Sequence, residues 1–380
     1  MTLIARELRL RHFRNFASLE LRFPAAGAAI IGDNGSGKTN LLEAIHYLEI
    51  LRSFRGAADE QLVRFGAEAF HVRGVFEQPE SGRAVEITAA YEPRTRRKKV
   101  TVDGAEVERL GDAIGRIGTV IFSPSDVEIV AGAPGERRRF LDIVLSLNVR
   151  GYLDALQRYR HVLRQRNALL RDGRSGDALA AWDTGLIDSG TTLMLERRAW
   201  VQAHADRYAA ICSAIGGGAG AIAYDGDVDV VGAMTRPEVA AAFTARLERV
   251  AHRERERGVT LAGPHRDDLS LHMRTGNGDV DLRQFGSGGQ VRTGAIALRV
   301  IEAETVREAR GFQPLLLLDD VFAELDAGRS RRILALLAGE RHGQVILTAP
   351  KETDVLLEEA GGDLVAPLVR WRISAGTVST

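Results

Sequence analysis

The sequence predicts an α/β fold in two separated halves, with an antiparallel β subdomain in the first half and a helical lobe inserted between the two. Three stretches carry that prediction. Gly32-Asp-Asn-Gly-Ser-Gly-Lys-Thr39 stands between an apolar strand and a helical pattern. From about 135 to 257 the periodicity is helical. Apolar strands then return as LLLL at 315–318, QVILT at 344–348 and VRWRI near the end.

Taken in order, residues 3–31 read as short strands ending in the apolar run 28–31. Residues 39–52 read as a helix with Leu41, Ile45 and Leu48 on one face. Over 70–107, antiparallel strands flank a basic turn, and Asp103-Gly104 is a hairpin signal. In the inserted lobe, Tyr152, Leu156, Tyr159, Leu163 and Leu170 form one helical stripe, and the glycine-rich run 215–221 reads as a loop. The continuous apolar run at 315–318 suits a central parallel strand covered on both faces. The expected segments are 1–122, 123–260 and 261–380.

Basic and acidic residues balance at 51 each, so net charge predicts no nucleic-acid partner and any basic surface must be local. One cysteine excludes an intramolecular disulfide and a Cys-rich zinc site. Arginines interrupt every apolar run of the N-terminus, and no stretch approaches the ~20 apolar residues of a membrane span. A cytoplasmic protein without a membrane partner is expected.

The stretch 32–39 fits G-x-x-x-x-G-K-[ST] in the strand–turn–helix context the motif requires. Glycines 32, 35 and 37 let successive N–H groups turn inward at phosphate oxygens, with Asp33, Asn34 and Ser36 completing the loop. Lys38 is expected on the β- and γ-phosphates and Thr39 on Mg²⁺, which makes ATP and Mg²⁺ the expected cofactors. Asp319, ending the LLLL strand, is the second expected group near the metal. Asp320, on the opposite side of that strand, either orients the attacking water or caps a helix at Val321. A second anion cradle is expected at QFGSGGQVRT, 284–293, from Ser287, Gly289 and Gln290.

Local charge offsets the neutral total in two places. Arg94, Arg96, Arg97, Lys98 and Lys99 form a basic hairpin tip. Residues 136–174 hold ten arginines against four acids, with Arg160, Arg164 and Arg171 sharing a helix face with Asn167. Such faces are either solvated or neutralise phosphates without reading bases. His265 reads as a hydrogen-bonded turn residue rather than a catalytic base.

GDNGSGKT, FGSGGQ and LLLLDD-x-x-x-ELD together resemble the ABC-type ATPases. The ordered set that adds LRHFRNF at 10–16, SPSDVEIVAGAPGERRRFLD at 123–142, LRQRNALL at 163–170 and GPHRDDL at 263–269 is similar to the RecF family of bacterial recombination-repair ATPases. The resemblance implies a split ABC-type P-loop head whose ATP is sandwiched between two copies. Arg14 and Asn15 would then belong to the nucleotide site, Ser287, Gly289 and Gln290 would meet the partner's γ-phosphate, and Asp326 would lie at the dimer interface.

Asp320 stands where transporters carry Glu, and Thr348 stands near the usual switch His, so slow hydrolysis is expected. The family further implies binding to duplex, gapped or junction DNA, a partnership with RecR and indirectly RecO and RecA, and a link to the SOS response. Two rivals share the three motifs. A transporter's ATP-binding subunit does not account for LRQRNALL or the basic insert. An SMC or Rad50-type head requires a long coiled coil that the sequence lacks.

Overall fold

The structure is a computed structural model of the 380-residue chain. It describes all residues except 175, 217, 230–234, 277, 322–326, 339–342, 353–354, 356–367, 375 and 380. The chain folds into two compact units, one of residues 1–127, 214–216 and 295–380, the other of 128–213 and 217–294. Among the described residues, no helix is long and apolar enough to cross a membrane.

Among the described residues, the first unit contains two six-stranded sheets. One is antiparallel throughout, in the spatial order Phe16–Arg22, Ile4–Phe13, Phe70–Gln78, Arg83–Glu92, Arg97–Val102, Ala105–Glu106. Its last hairpin turns at Asp103 and Gly104, both at positive φ, as an Asp-Gly corner requires. The other sheet runs Thr377–Ser379, Val369–Ser374, Gly27–Ile31, Val345–Ala349, Leu315–Asp319, Thr119–Phe122, parallel except at its Thr377–Ser379 edge. Strands 27–31, 315–319 and 345–349 are buried at every residue, which is why their sequences are continuous apolar runs.

The helix Lys38–Ile50 packs against both sheets, and only Thr39 and Asn40 escape full burial. The sequence predicts one apolar face, yet a helix covered on both sides buries its whole circumference, including Glu43, His46 and Glu49. Gln344 ties the parallel sheet to the first strand. Its Oε1 accepts from Ala5 N at 2.8 Å and its Nε2 donates to Pro24 O at 2.7 Å.

Helices Pro134–Asn148, Tyr152–Arg171 and Arg236–Arg257, much of Asp177–Ile215, and a three-stranded antiparallel sheet make the second unit. That sheet pairs Asp268–Thr275 with Ala219–Asp225 on one side and Gly278–Asp281 on the other. Residues 219–221, expected in a loop, therefore open a strand. Glycine there suits close backbone approach: a Cβ on Gly220 would meet the Cys212 sulfur at 2.5 Å and the Tyr208 ring at 2.6 Å. The same pairing holds 268–281 within this unit, and the chain returns to the first unit only at Ala295.

Buried arginines organise the second unit. Arg166 donates to Asp183 at 2.7 Å, Glu254 at 2.8 Å and Thr260 Oγ1 at 2.9 Å. Arg197 donates to Asp142 and to Pro264 O, and Arg137 makes a two-pronged pair with Asp268. Each buried carboxylate needs such a partner, because an unpaired ion in a low dielectric is costly.

Glu49, near the far end of the helix that begins at Lys38, is wholly buried, and burial pushes its carboxyl up to about 7 against the opposing pull of Arg310. A raised acid favours the protonated folded state, so the contribution of Glu49 to stability falls as pH rises from about 4.5 to about 7 and is level above. Glu49→Gln is expected to remove that slope and to stabilise the protein at pH 8 by on the order of 3 kcal/mol. Thermal or urea unfolding of parent and variant across pH 4.5–8 checks it; a stability difference between the two that does not change with pH refutes the assignment.

Candidate nucleotide site and signature loop

The phosphate loop follows the strand Gly27–Ile31 and runs directly into the helix that starts at Lys38. Gly35 and Gly37 take φ of 83° and 113°, in the left-handed region that glycine enters without strain. At Gly37 space is also decisive, since a Cβ would stand 2.4 Å from the Asn15 amide nitrogen. Asn15 braces the loop by donating to Ser36 O at 3.0 Å, while its own oxygen accepts from Asn40 Nδ2 at 2.8 Å. Lys38 is buried and donates to the carbonyls of Gly32 at 2.6 Å and Asp33 at 3.1 Å.

Asp319, 280 residues away in sequence, is buried beside Thr39. Its Oδ1 accepts from Thr39 Oγ1 at 2.9 Å and from Thr348 Oγ1 at 3.0 Å. Burial raises its carboxyl above the ordinary value, while the two hydroxyls and the positive charge of Arg55 pull it back. Arg55 was not among the expected site residues, and nothing in the sequence around it marks a role. The threonine hydroxyl and the carboxylate supply the hard oxygen donors that Mg²⁺ takes alongside phosphate and water. Ser36 Oγ is buried without a hydrogen-bond partner among the described residues, which fits a loop completed by a phosphate oxygen.

Asp320 departs from expectation. Its φ is 50°, so it leaves the strand in a left-handed turn instead of continuing the alternation of faces. Its N–H donates to Thr348 Oγ1 at 3.1 Å, so one hydroxyl ties both aspartates to the adjacent strand. Asp326 lies outside the described residues.

Ser287, exposed, precedes the 23-residue helix Gly288–Arg310. Ser287 N–H donates to Gln290 Oε1 at 2.9 Å and Gln290 N–H donates to Ser287 Oγ at 3.3 Å. This reciprocal pair is a capping box, and it shapes the loop without any ligand. The first-turn N–H groups of Gly288 and Gly289 have no intrahelical partner, and with the positive helix end they suit an anion.

A family model described as the RecF/RecN/SMC N terminal domain matches residues 4–361. A DNA replication and repair protein RecF from Anaeromyxobacter dehalogenans is 39% identical over 380 residues, 98% of each chain. The Salinibacter ruber protein of that description is 37% identical over 361 residues, covering 92% of this chain and 85% of the relative. The chain belongs to the RecF family. A solved structure of the recombination mediator protein RecF with ATP in the RecFOR pathway covers 100% of the chain and 97% of its own, at 31% identity and a TM-score of 0.89. An Smc head domain from Pyrococcus furiosus, with an extended coiled coil and bound to the C-terminal domain of ScpA, shares the fold at 16% identity and a TM-score of 0.56. The fold is the expected one, an ABC-type head of the RecF and SMC kind.

Several residues expected at ligands have other partners in this structure. Arg14 sends Nε and Nη2 to the two oxygens of Glu43, at 2.7 and 2.8 Å, and Nη1 to Gln61 O. Glu43 is fully buried, so Arg14 is its counter-charge, a demand the sequence did not show. Lys98 is also committed: it pairs with Asp59 at 2.7 Å, donates to Leu51 O and lies over the Tyr47 ring. Arg97 and Lys99 share Glu106, and Arg94 pairs with Glu68 at 3.2 Å. Only Arg96 of the hairpin tip is exposed without an ion pair among the described residues.

The arginine excess of 136–174 shrinks for the same reason. Arg137 and Arg166 are buried, and Arg160 pairs with Asp142 at 3.0 Å. Asn167 accepts from Thr260 N–H and Oγ1, so it serves the helical packing. Arg164 and Arg171 remain exposed. His265 matches its reading, with Nδ1 on the Tyr159 hydroxyl at 2.6 Å and burial pushing it down to about 4.

Arg14→Ala leaves Glu43 buried without its guanidinium, which costs about 3–5 kcal/mol when a buried pair loses one partner. A thermal midpoint lowered by many degrees without nucleotide is therefore expected. An unchanged midpoint with weakened ATP binding would return Arg14 to the nucleotide.

Proposed function

We propose that this chain is an ATP-dependent DNA-binding protein of recombinational repair, in which ATP joins two copies and slow hydrolysis separates them. The observation that carries the reading is the hydrogen bond from Thr39 to Asp319, set beside the phosphate loop and its lysine. That arrangement suits a nucleoside triphosphate with Mg²⁺, and the RecF relative of known structure is described with ATP. Lys38, Gly32, Asp33, Asn34, Gly35, Ser36 and Gly37 would cradle the phosphates, while Thr39 and Asp319 would hold the metal. When bound, Mg²⁺ would neutralise charge on the β- and γ-phosphates.

The first-turn amides at Gly288 and Gly289, with Ser287 and Gln290, form the second anion site, and in this reading the anion is the γ-phosphate of a second copy's ATP. ATP then favours the dimer because each nucleotide touches two chains only there. Asp320 is the group proposed to orient the attacking water. Its short side chain and its left-handed backbone leave it less reach than a Glu on a continuing strand, so turnover is slow. Weak stimulation by DNA belongs to the same proposal.

Duplex or gapped DNA is the proposed target, bound through phosphates without base reading. The exposed cations Arg94, Arg96, Arg97, Lys99, Arg164 and Arg171 are the proposed contributors. RecR, and through it RecO and RecA, are the proposed partners in RecA loading at single-strand gaps and in the SOS response, because the relatives are described in replication, repair and the RecFOR pathway.

Ser287→Arg places a bulky cation in the second anion site. A clash of about 1–3 kcal/mol at each of two symmetric sites weakens dimerisation by roughly thirty-fold to more than ten-thousand-fold. Light scattering of the variant is expected to show a monomer with ATP, with ATP affinity retained, where the parent protein doubles its mass. A parent protein that stays monomeric with ATP, with or without gapped DNA, would sink the clamp. Loss of ATP affinity in the monomeric variant would assign the loop to its own chain's nucleotide.

A further inference from the structure

Away from the nucleotide site, one aromatic ring among the described residues of the first unit stands out into solvent. Phe65 is 102% exposed. A lone exposed apolar residue is ordinary on a protein surface, so the setting has to carry the argument. Ala67 N–H donates to Arg64 O at 2.9 Å and Gly66 takes φ 81°, so Phe65 and Gly66 occupy the corners of a type II-like turn. The N-terminal flank of that turn is clamped to the first strand and its turn. Arg64 N–H donates to His12 O at 2.8 Å, Arg14 N–H donates to Leu62 O at 2.7 Å, and Phe13 bridges Val63. Phe13 and Leu62 beneath are completely buried. The backbone beneath the ring is already ordered, so stacking has only the side chain left to immobilise.

Cations surround the same loop. Arg64 adjoins Phe65, and Arg11 precedes the His12 to which the loop is clamped. Arg11 and Arg64 are exposed and form no ion pair among the described residues. Arg94 reaches the loop through Glu68, and exposed Arg96 follows on the same hairpin tip. The ring therefore stands out as an exposed apolar group on a loop flanked by Arg11, Arg64, Arg94 and Arg96, with Glu68 paired to Arg94. A protein interface needs a contiguous apolar core, which an isolated phenyl ring does not supply. Nucleic acid presents both complements, a π-face and flanking phosphates.

We propose that Phe65 is a stacking platform for an unpaired nucleobase, with Arg11, Arg64, Arg94 and Arg96 holding the phosphates on either side. Every base has a π-face, so the contact is indifferent to sequence, and bases inside a continuous duplex are already stacked on one another. The site thus selects a discontinuity in DNA, such as a single-strand gap, over intact duplex. This inference rests on the DNA-binding reading above and names the feature of the DNA that is recognised.

The test is fluorescence anisotropy of the full chain with ATP at one fixed salt concentration, on intact duplex, on gapped duplex and on a gap of abasic sites. Phe65→Ala is expected to weaken gapped-duplex binding roughly ten-fold and to leave intact duplex unchanged. The parent protein should fall to the same level on the abasic gap, where the variant loses nothing more. Phe65→Trp should keep the preference, and gapped duplex should quench its added fluorescence. The exposed position makes misfolding of the alanine variant unexpected, and an unchanged thermal midpoint verifies that.

Equal losses on intact and gapped duplex, or no loss on either, overturn the stacking site while leaving the DNA reading in place. A loss confined to association with a purified protein partner overturns it as well. A parent protein that binds none of the three substrates with ATP overturns both readings.

Discussion

The first unit depends on keeping a carboxylate, Asp319, buried and hydrogen-bonded beside the phosphate loop. Two threonine hydroxyls make that possible, Thr39 from the helix after the loop and Thr348 from the neighbouring parallel strand. A buried acid without such donors would carry a desolvation penalty of several kcal/mol. With them it remains polar, close to the loop and short of an ideal number of donors. That residual need suits a cation, and it is the physical reason the fold and the nucleotide chemistry cannot be separated here.

The surrounding architecture serves that placement. Strands Gly27–Ile31, Val345–Ala349 and Leu315–Asp319 are consecutive neighbours in the parallel sheet, and their C-terminal ends deliver Gly32, Thr348 and Asp319 to one edge. The helix from Lys38 is held between two sheets, so the lysine and threonine at its start have little freedom. Covering that helix on both sides has its own demands. Glu43 takes Arg14 and Ser53 as partners, and Glu49 takes the weaker company of Arg310. Side chains that look available for ligands in the sequence are partly consumed in meeting these internal requirements.

The second unit follows the same rule with arginine as the donor. Arg137, Arg166 and Arg197 each satisfy carboxylates that the helices and the small sheet bury together. A count of arginines in a segment therefore overstates its basic surface, because charge that is paired inside the protein is absent from the outside. Arg164 and Arg171 keep their exposure, while their helical neighbours Arg160 and Arg166 are engaged. The hairpin tip divides likewise, with Lys98 drawn inward over Tyr47 and Arg96 left outside.

The sequence by itself determined the elements whose chemistry is local. The phosphate loop was legible because glycine spacing and the lysine encode a backbone shape, and the parallel strands because double-sided burial requires unbroken apolar runs. The Asp103-Gly104 turn and the capping pair of Ser287 and Gln290 are likewise spelled within a few residues. Only the tertiary structure decided which charged side chains were spent on internal partners. Arg14 meets Glu43 29 positions away, Arg137 meets Asp268 131 positions away, and Asp320 turns out of its strand beside Thr348. Each outcome depends on a desolvation cost that arises only when distant segments are buried against one another, and no local pattern records it.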